Sequence, residues 1–267
     1  MRALVTGASA GIGRAFATAL AAEGISVTAV ARDAVRLADL VGELGAGHDH
    51  LAADLSTEKG VAATALLLHR GGYSLLINNA GTAVPGAFTE VAIESSLATI
   101  DLNCRAVVTL AHAFLTSAAA GSALVNVSST LGHSPKPGLS VYSASKAFVT
   151  AFSETLWHEQ KTRGVHVMAL CPGVTATASQ TAADVPPWLV QSPEEVVRRA
   201  RKALAHSEGP IVLSSRANRL WTTAMRLLPR RTALTLLADR GEHHVQRHRH
   251  HCHPRPHRAQ PGRVESR

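Results

Sequence analysis

Short runs of consecutive apolar residues alternate along the chain with longer stretches in which apolar residues recur every three to four positions. The short runs predict strands at Ala3–Thr6, Ser26–Ala31, His50–Ala53, Leu75–Asn78, Ala123–Ser128, Val165–Cys171 and Pro210–Leu213. The longer stretches predict helices over Ile12–Ala22, Ala34–Leu44, Thr57–His69, Ile93–Ala119, Val141–Arg163 and Pro193–Ala205. The last of these opens on Ser192-Pro193-Glu194-Glu195, a capping sequence. Most strand runs are apolar on both faces, so both faces must be covered by other elements. Strands alternating with helices meet that demand as an α/β fold: a doubly wound parallel seven-stranded sheet with helices on both faces.

Beyond the seventh strand, Arg219–Leu228 places Leu220, Trp221, Ala224, Met225 and Leu228 on one helical face and Arg219, Thr222, Thr223 and Arg226 opposite. That face is expected to pack on the body or on a sister subunit, with a membrane surface as the alternative. After about Asp239 the pattern fails. Residues 1–238 are therefore expected to form a single domain, and 239–267 a disordered tail rich in His, Arg and Pro.

Composition and charge narrow the function. The 267 residues are 46% hydrophobic and carry a net charge of +8. From Arg230 onward nine arginines face three acids, which accounts for +6 of that charge and leaves the body nearly balanced. A nucleic-acid-binding body is thereby excluded, and no membrane span is expected. The start, without a secretory signal pattern, points to a cytoplasmic protein. Cys104, Cys171 and Cys252 follow neither a disulfide nor a zinc spacing, so reduced thiols are expected. Seven of the fifteen histidines fall between His243 and His257, a tract able to chelate loosely, but the expected chemistry needs no metal.

The chemistry begins where the first strand meets Thr6-Gly7-Ala8-Ser9-Ala10-Gly11-Ile12-Gly13 and a helix follows. Glycines at these places let the backbone turn tightly and approach a pyrophosphate, which amides and the positive helix end can hold. The gap between Gly7 and Gly11 gives TGxxxGxG, which resembles the glycine turn of the short-chain dehydrogenase/reductase family. That resemblance implies a Rossmann-type sheet and a nicotinamide dinucleotide held by Gly7, Ser9, Gly11, Ile12 and Gly13.

At the end of the second strand Ala31 fills the family's usual acid position and Arg32 follows. A cation there suits the 2′-phosphate of NADP(H) rather than the free ribose of NAD(H). Asp33, one step on, reads as a helix cap. Asp54 and Leu55 resemble the family's adenine contact, although Asp54 is equally readable as a turn residue. Asn78-Asn79-Ala80-Gly81 resembles the NNAG motif, whose Asn79, Ala80 and Gly81 line the cofactor cleft.

Tyr142 and Lys146 stand four apart near the start of a helix, so both project from one face. A neighbouring ammonium favours phenolate and is expected to lower the phenol's pKa. By themselves the two suit a solvated helix face as well as a catalytic site. The strand Val125-Asn126-Val127 delivers Ser128 and Ser129 at its carboxyl end, where ligands bind in such sheets. Successive strand residues face opposite ways, so one serine is favoured, and Ser129 matches the family's substrate-binding serine by its spacing from Tyr142. The same resemblance gives Asn103 the role of fourth catalytic residue, with a backbone that distorts its helix and holds a water toward Lys146. It also implies that Pro172, Gly173, Thr175 and Thr177 hold the nicotinamide carboxamide. Cys171, just before them, closes an apolar strand with no base apparent beside it, and reads as a buried structural thiol.

The resemblance spans about residues 1 to 215 and implies reduction in which Ser129 holds the carbonyl oxygen, NADPH gives hydride, Tyr142 donates the proton and Lys146 binds the ribose. The substrate is expected to be a small-molecule carbonyl or alcohol between Gly132–Val141 and a lid at Ala178–Val190. Val185, Trp188 and Leu189 suggest that it is apolar. The family commonly pairs subunits, so a homodimer or homotetramer is expected. Two rival classes are a catalytically silent NADP-binding sensor or scaffold, and a binder of nucleic acid or anionic membrane through the basic tail.

Overall fold

A computed structural model describes residues 1–177 and 187–238. Seven strands form one sheet in the order β3-β2-β1-β4-β5-β6-β7, every neighbouring pair parallel. They are β1 Arg2–Thr6, β2 Ser26–Ala31, β3 Asp49–Ala52, β4 Leu75–Asn78, β5 Ala123–Val127, β6 His166–Cys171 and β7 Ile211–Leu213. The helices are α1 Gly11–Ala21, α2 Ala34–Leu44, α3 Glu58–His69, α4 Ile93–Ile100, α5 Ala106–Ser117, α6 Ser140–Gln160, α7 Pro193–Ala205 and α8 Arg216–Leu227. This is the Rossmann-type fold expected from the apolar runs.

Both faces of the sheet are covered, which explains the unalternating strands. Phe16 and Leu20 of α1, Leu37 and Leu40 of α2, and Val196 and Ala200 of α7 pack on one face against Val5, Val27 and Met168. Val61 and Leu68 of α3, Leu110 and Phe114 of α5, and Leu156 of α6 pack on the other against Leu4, Leu76 and Val167. Only the edge strand β3 is largely exposed. Chain direction reverses about β1, so the carboxyl ends of β1 and β4 open a crevice of the kind that takes ligands in doubly wound sheets.

Local signals set several helix ends. Ser192 accepts from Glu195 N at 3.2 Å while its own N–H donates to Glu195 Oε2 at 3.0 Å, closing the capping box before α7. Asp33 accepts from Arg36 N and caps α2.

Two expectations need correction. The helix expected over Ile93–Ala119 is three pieces, because one turn of π-helix, Asp101–Arg105, separates α4 from α5. A wider turn is invisible to an apolar period, which shifts by only one residue across it. The second concerns α8. Leu220 and Ala224, assigned to its packing face, are exposed, while Thr222, assigned to the polar face, is buried with Asn218 and Met225. The inner face of α8 meets polar partners: Asn218 donates to Gln191 Oε1 at 2.9 Å and to Ser214 Oγ at 3.4 Å. Apolarity therefore misled about which side turns inward. Residues 230–238 form a further helical stretch with Ala233 and Leu237 inward. Most of the expected lid, and the whole tail after residue 238, lie outside the described residues.

Candidate active site

The glycine turn is held by contacts that leave no room for side chains. Gly7 and Gly11 have φ of 65° and 54°, where glycine is strongly favoured. A Cβ on Gly13 would lie 2.2 Å from Gly7 O, and one on Gly11 would meet Thr177 Cγ2 at 3.0 Å. The turn from β1 thus faces the turn after β6 across a gap lined by backbone. Thr6, which opens the motif but carries no expected role in it, ties this turn to β4: its hydroxyl donates to Ile77 O and accepts from Asn79 N at 2.9 Å and Ala80 N at 3.0 Å. Asn79 Nδ2 donates to Thr6 O at 2.9 Å. The signal was present as the hydroxyl residue ending an otherwise apolar strand.

Arg32 is exposed at the end of β2 and forms no ion pair with a described residue, whereas Arg14 pairs with Glu43 and Arg36 with Asp33. Asp54 accepts from Ser56 N at 2.9 Å and Ser56 Oγ at 2.7 Å. Burial pushes its carboxyl up, but the Ser56 bonds and the Arg32 charge outweigh this and hold it below its usual value. One oxygen of Asp54 thus serves its own turn, and Leu55 beside it is buried. The backbone cradle, the exposed cation and the adjacent helix N-terminus suit the pyrophosphate and 2′-phosphate of a dinucleotide.

At the end of β5 the serines part as their alternation requires. Ser128 is buried on α6, where it donates to Lys146 O at 2.7 Å and shares a bond with Thr150 Oγ1. Ser129 turns the other way, close enough to the Tyr142 phenol to influence its ionisation. Lys146 is buried; its Nζ donates to Val127 O at 2.8 Å and stands 5.7 Å from the Tyr142 ring centre. Ser129, Tyr142 and Lys146 are thereby gathered at the carboxyl edge of the sheet. Thr130 N donates to Pro172 O at 2.9 Å, so the same loop is fastened to the turn after β6.

Asn103 sits in the π-turn with its side chain fully buried. It accepts from Thr82 N and donates to Thr82 O, both at 2.9 Å, and donates to Ser145 Oγ at 3.0 Å. Ser145 in turn donates to Tyr142 O at 2.7 Å. Gly81 leaves the space between these helices open, since a Cβ there would lie 3.2 Å from Asn103 Oδ1 and 3.4 Å from Lys146 Nζ. Asn78 and Asn126 bond each other at 3.0 Å across β4 and β5, satisfying two amides inside an apolar sheet.

The electrostatics depart from expectation. Burial pushes the Tyr142 phenol up, and Ser129 only partly opposes it. Burial also pulls Lys146 down to about 8. The ammonium was expected to lower the phenol; instead desolvation is the largest influence on both groups, and the buried ammonium donates to Val127 O. A base does stand beside Cys171, contrary to expectation: His133 Nε2 is 3.7 Å from its Sγ. Burial nevertheless raises that thiol to about 11, so it stays protonated and structural. Cys104 and Cys171 are both free thiols.

The turn after β6 rests on a buried polar cluster. Gly173 N donates to Ser214 Oγ at 3.4 Å, and a Cβ on Gly173 would collide with Asn218 at 2.4 Å. Thr175 is buried, with its hydroxyl donating to Gly173 O at 3.2 Å and its backbone bridged to Gln191. Beside Tyr142 a narrow recess of only about 10 Å³ is lined by Val84, Phe88, Val91 and Val141 with Ser96 and Thr99. No group of metal-ligating side chains occurs among the described residues.

The short chain dehydrogenase family model matches residues 1–186. The chain belongs to that family. Among solved structures, it is similar to a short-chain dehydrogenase from Sphingobium yanoikuyae in complex with NADPH: 32% identity, TM-score 0.74, covering 84% of this chain and 92% of that one. It is also similar to the bulky-bulky ketone specific alcohol dehydrogenase from Comamonas testosteroni, with 30% identity, TM-score 0.72, and coverage of 85% and 92%. A 3-oxoacyl-[acyl-carrier-protein] reductase from Synechocystis is 36% identical over 186 residues, 66% of this chain and 74% of that protein. This family member is accordingly an oxidoreductase, and no helix among its described residues is long and apolar enough to cross a membrane.

Proposed function

We propose that the protein is an NADP(H)-dependent oxidoreductase acting between the carbonyl and alcohol states of an apolar small-molecule substrate. The observation that carries this reading is the convergence of Ser129, Tyr142 and Lys146 at the carboxyl edge of the sheet, braced by Asn103. Gly7, Ser9, Gly11, Ile12 and Gly13 would hold the pyrophosphate, Arg32 the 2′-phosphate, and Asp54 and Leu55 the adenine. Asn79, Ala80 and Gly81 would wall the cleft, and Pro172, Gly173, Thr175 and Thr177 would orient the nicotinamide carboxamide. The NADPH complex of the Sphingobium relative supports the choice of cofactor.

When bound, NADPH supplies the hydride. Ser129 donates a hydrogen bond to the substrate carbonyl oxygen and polarises it. Tyr142, kept protonated by its burial, gives its proton to that oxygen as negative charge develops there. Lys146, four residues on, steadies the phenolate left behind and faces the ribose side of the cleft. Asn103, through Ser145 and Thr82, fixes the spacing of the helix carrying both groups. In alcohol oxidation Tyr142 must first lose its proton. The valines and phenylalanine among the residues lining the recess beside it suit an apolar substrate, and the ketone specificity of the Comamonas relative supports a ketone.

On the same reading residues 1–238 are one catalytic domain, 239–267 an appendage, and the protein is cytoplasmic. Exposed Ile93, Leu97 and Ile100 on α4 and Phe148 on α6 support a homodimer or homotetramer paired through these helices. The test is consumption of NADPH with a panel of aldehydes and ketones. Wild type should turn over bulky ketones, while Tyr142→Phe should lose about 10²- to 10⁴-fold in rate and bind NADPH within about threefold of wild type. A wild type that binds NADPH yet consumes no carbonyl would leave the sensor or scaffold reading.

A further inference from the structure

Among the described residues, none covers the outward face of α8 and of residues 230–238. Leu220 and Leu227, two turns apart on α8, are 73% and 82% exposed. Leu234 and Leu236, in the following helical stretch, are also exposed, and Trp188, in the turn Pro187–Leu189 packed against α8, is 66% exposed. Exposed large side chains gathered in this way are uncommon on a solvated surface. Their inner counterparts, Asn218, Thr222 and Met225, and then Ala233 and Leu237, are buried, so the stretch is already anchored and its apolar residues are surplus to that anchoring.

Charge says what covers it. Arg216, Arg219, Arg226, Arg230 and Arg231 lie in this stretch, and no acid occurs between Glu208 and Asp239. None of the five arginines is in an ion pair with a described residue. On the helical wheel Arg219 and Arg226 lie along one side of the Leu220 and Leu227 line, with Arg216 between. An apolar line bordered by cations, with a tryptophan beside it, is the composition of a helix that lies in a lipid interface and draws anionic headgroups. A second copy of the same face would bring arginines against arginines, which disfavours symmetric pairing here.

We infer that α8 and residues 230–238, with Trp188, form a docking surface for an anionic lipid bilayer, the helix axes lying along the membrane plane. Arg230 Nη1 donates to His133 O at 3.4 Å, in the loop that follows Ser129. Docking would therefore bring the substrate side of the site close to the lipid. That consequence rests on the enzymatic reading above; the docking itself does not.

Full-length protein is sedimented with vesicles of phosphatidylcholine alone and with vesicles containing phosphatidylserine. Wild type should partition onto the anionic vesicles, and Leu220→Glu/Leu227→Glu should lose at least about tenfold in partition coefficient while keeping its circular dichroism, melting temperature and NADPH affinity. Leu220→Ala/Leu227→Ala, a milder change at exposed sites, should give an intermediate loss and guards against misfolding of the first variant. Binding that survives both variants and vanishes in 0.5 M salt, a concentration set well above physiological, would assign the interaction to the arginines after residue 238 and overturn the inference. So would a wild type that ignores anionic vesicles but changes oligomeric state in the glutamate variant, which would make the face a subunit interface. Failure of catalysis in the carbonyl panel leaves the vesicle result standing, so the two readings fail separately.

Discussion

Asn103 Nδ2 donates to Ser145 Oγ at 3.0 Å, and this one bond links the π-turn between α4 and α5 to the helix that carries Tyr142 and Lys146. The Ser145 hydroxyl passes the link on to Tyr142 O. Asn103→Ala would remove both bonds to the Thr82 backbone and the one to buried Ser145. It should cost about 2–3 kcal/mol of stability, at about 1 kcal/mol for each of the three bonds. Ser145→Ala removes the two bonds of its hydroxyl and should cost about 1–2 kcal/mol. Urea melts check both, and a larger fall in kcat than rise in KM in the serine variant would mark positioning of Tyr142 beyond stability.

The Lys146 ammonium, held at about 8 against an ordinary 10.5, makes stability depend on pH with a definite sign. Between these values the unfolded chain binds the extra proton, so this group's contribution to stability rises with pH across the window, and below about pH 8 the cost of burying the charge is fully present. Lys146→Met removes that dependence. From pH 7 to pH 10 the wild type should therefore gain about 2 kcal/mol relative to the variant. Parallel stability curves for the two proteins would show that the ammonium is not desolvated.

Gly13 and Gly42 offer a matched pair. A Cβ on Gly13 runs into Gly7 O and Asn79, whereas one on Gly42, in α2, meets nothing within 4 Å. Gly13→Ala should lose about 1–3 kcal/mol and weaken dinucleotide binding with it. Gly42→Ala should gain about 0.5–1 kcal/mol from helix propensity and reduced freedom of the unfolded chain. Thermal unfolding with and without NADPH reads both effects.

Arg32 decides the cofactor if it meets the 2′-phosphate. Arg32→Glu should weaken NADPH by about 10- to 100-fold, the value of one or two charge-assisted bonds at about 1.5–3 kcal/mol. NADH affinity should stay the same or improve. Titration of both cofactors against wild type and variant tests this, and equal losses for the two would place Arg32 away from the phosphate.

Much of this is legible in the amino-acid sequence. Strand positions and burial on both faces follow from runs such as Ala29-Val30-Ala31 and Leu75-Leu76-Ile77, which admit no solvent face. The glycine turn, Tyr142 with Lys146, and Ser129 were visible as spacings, and alternation alone argued that Ser128 and Ser129 must face apart. Other features were not legible. Thr6 and Ser145 look like ordinary hydroxyls in sequence, and their importance lies in bonds to Asn79 and Asn103, 73 and 42 residues away. The inner face of α8 was misread because apolar spacing cannot reveal a polar pocket formed by Gln191 and Ser214.

The sequence by itself determined the alternation of strands and helices, hence a parallel sheet buried on both faces, and the family to which the chain belongs. These properties are local: period, propensity and glycine placement act within a few residues. Tertiary structure decided the rest. It turned Ser129 toward Tyr142 and Ser128 away, set a π-turn under Asn103, and buried Lys146 deeply enough that desolvation outweighs its expected influence on the phenol. Those outcomes depend on how much water reaches a group and which distant partner it meets, and both are fixed only when the chain closes on itself.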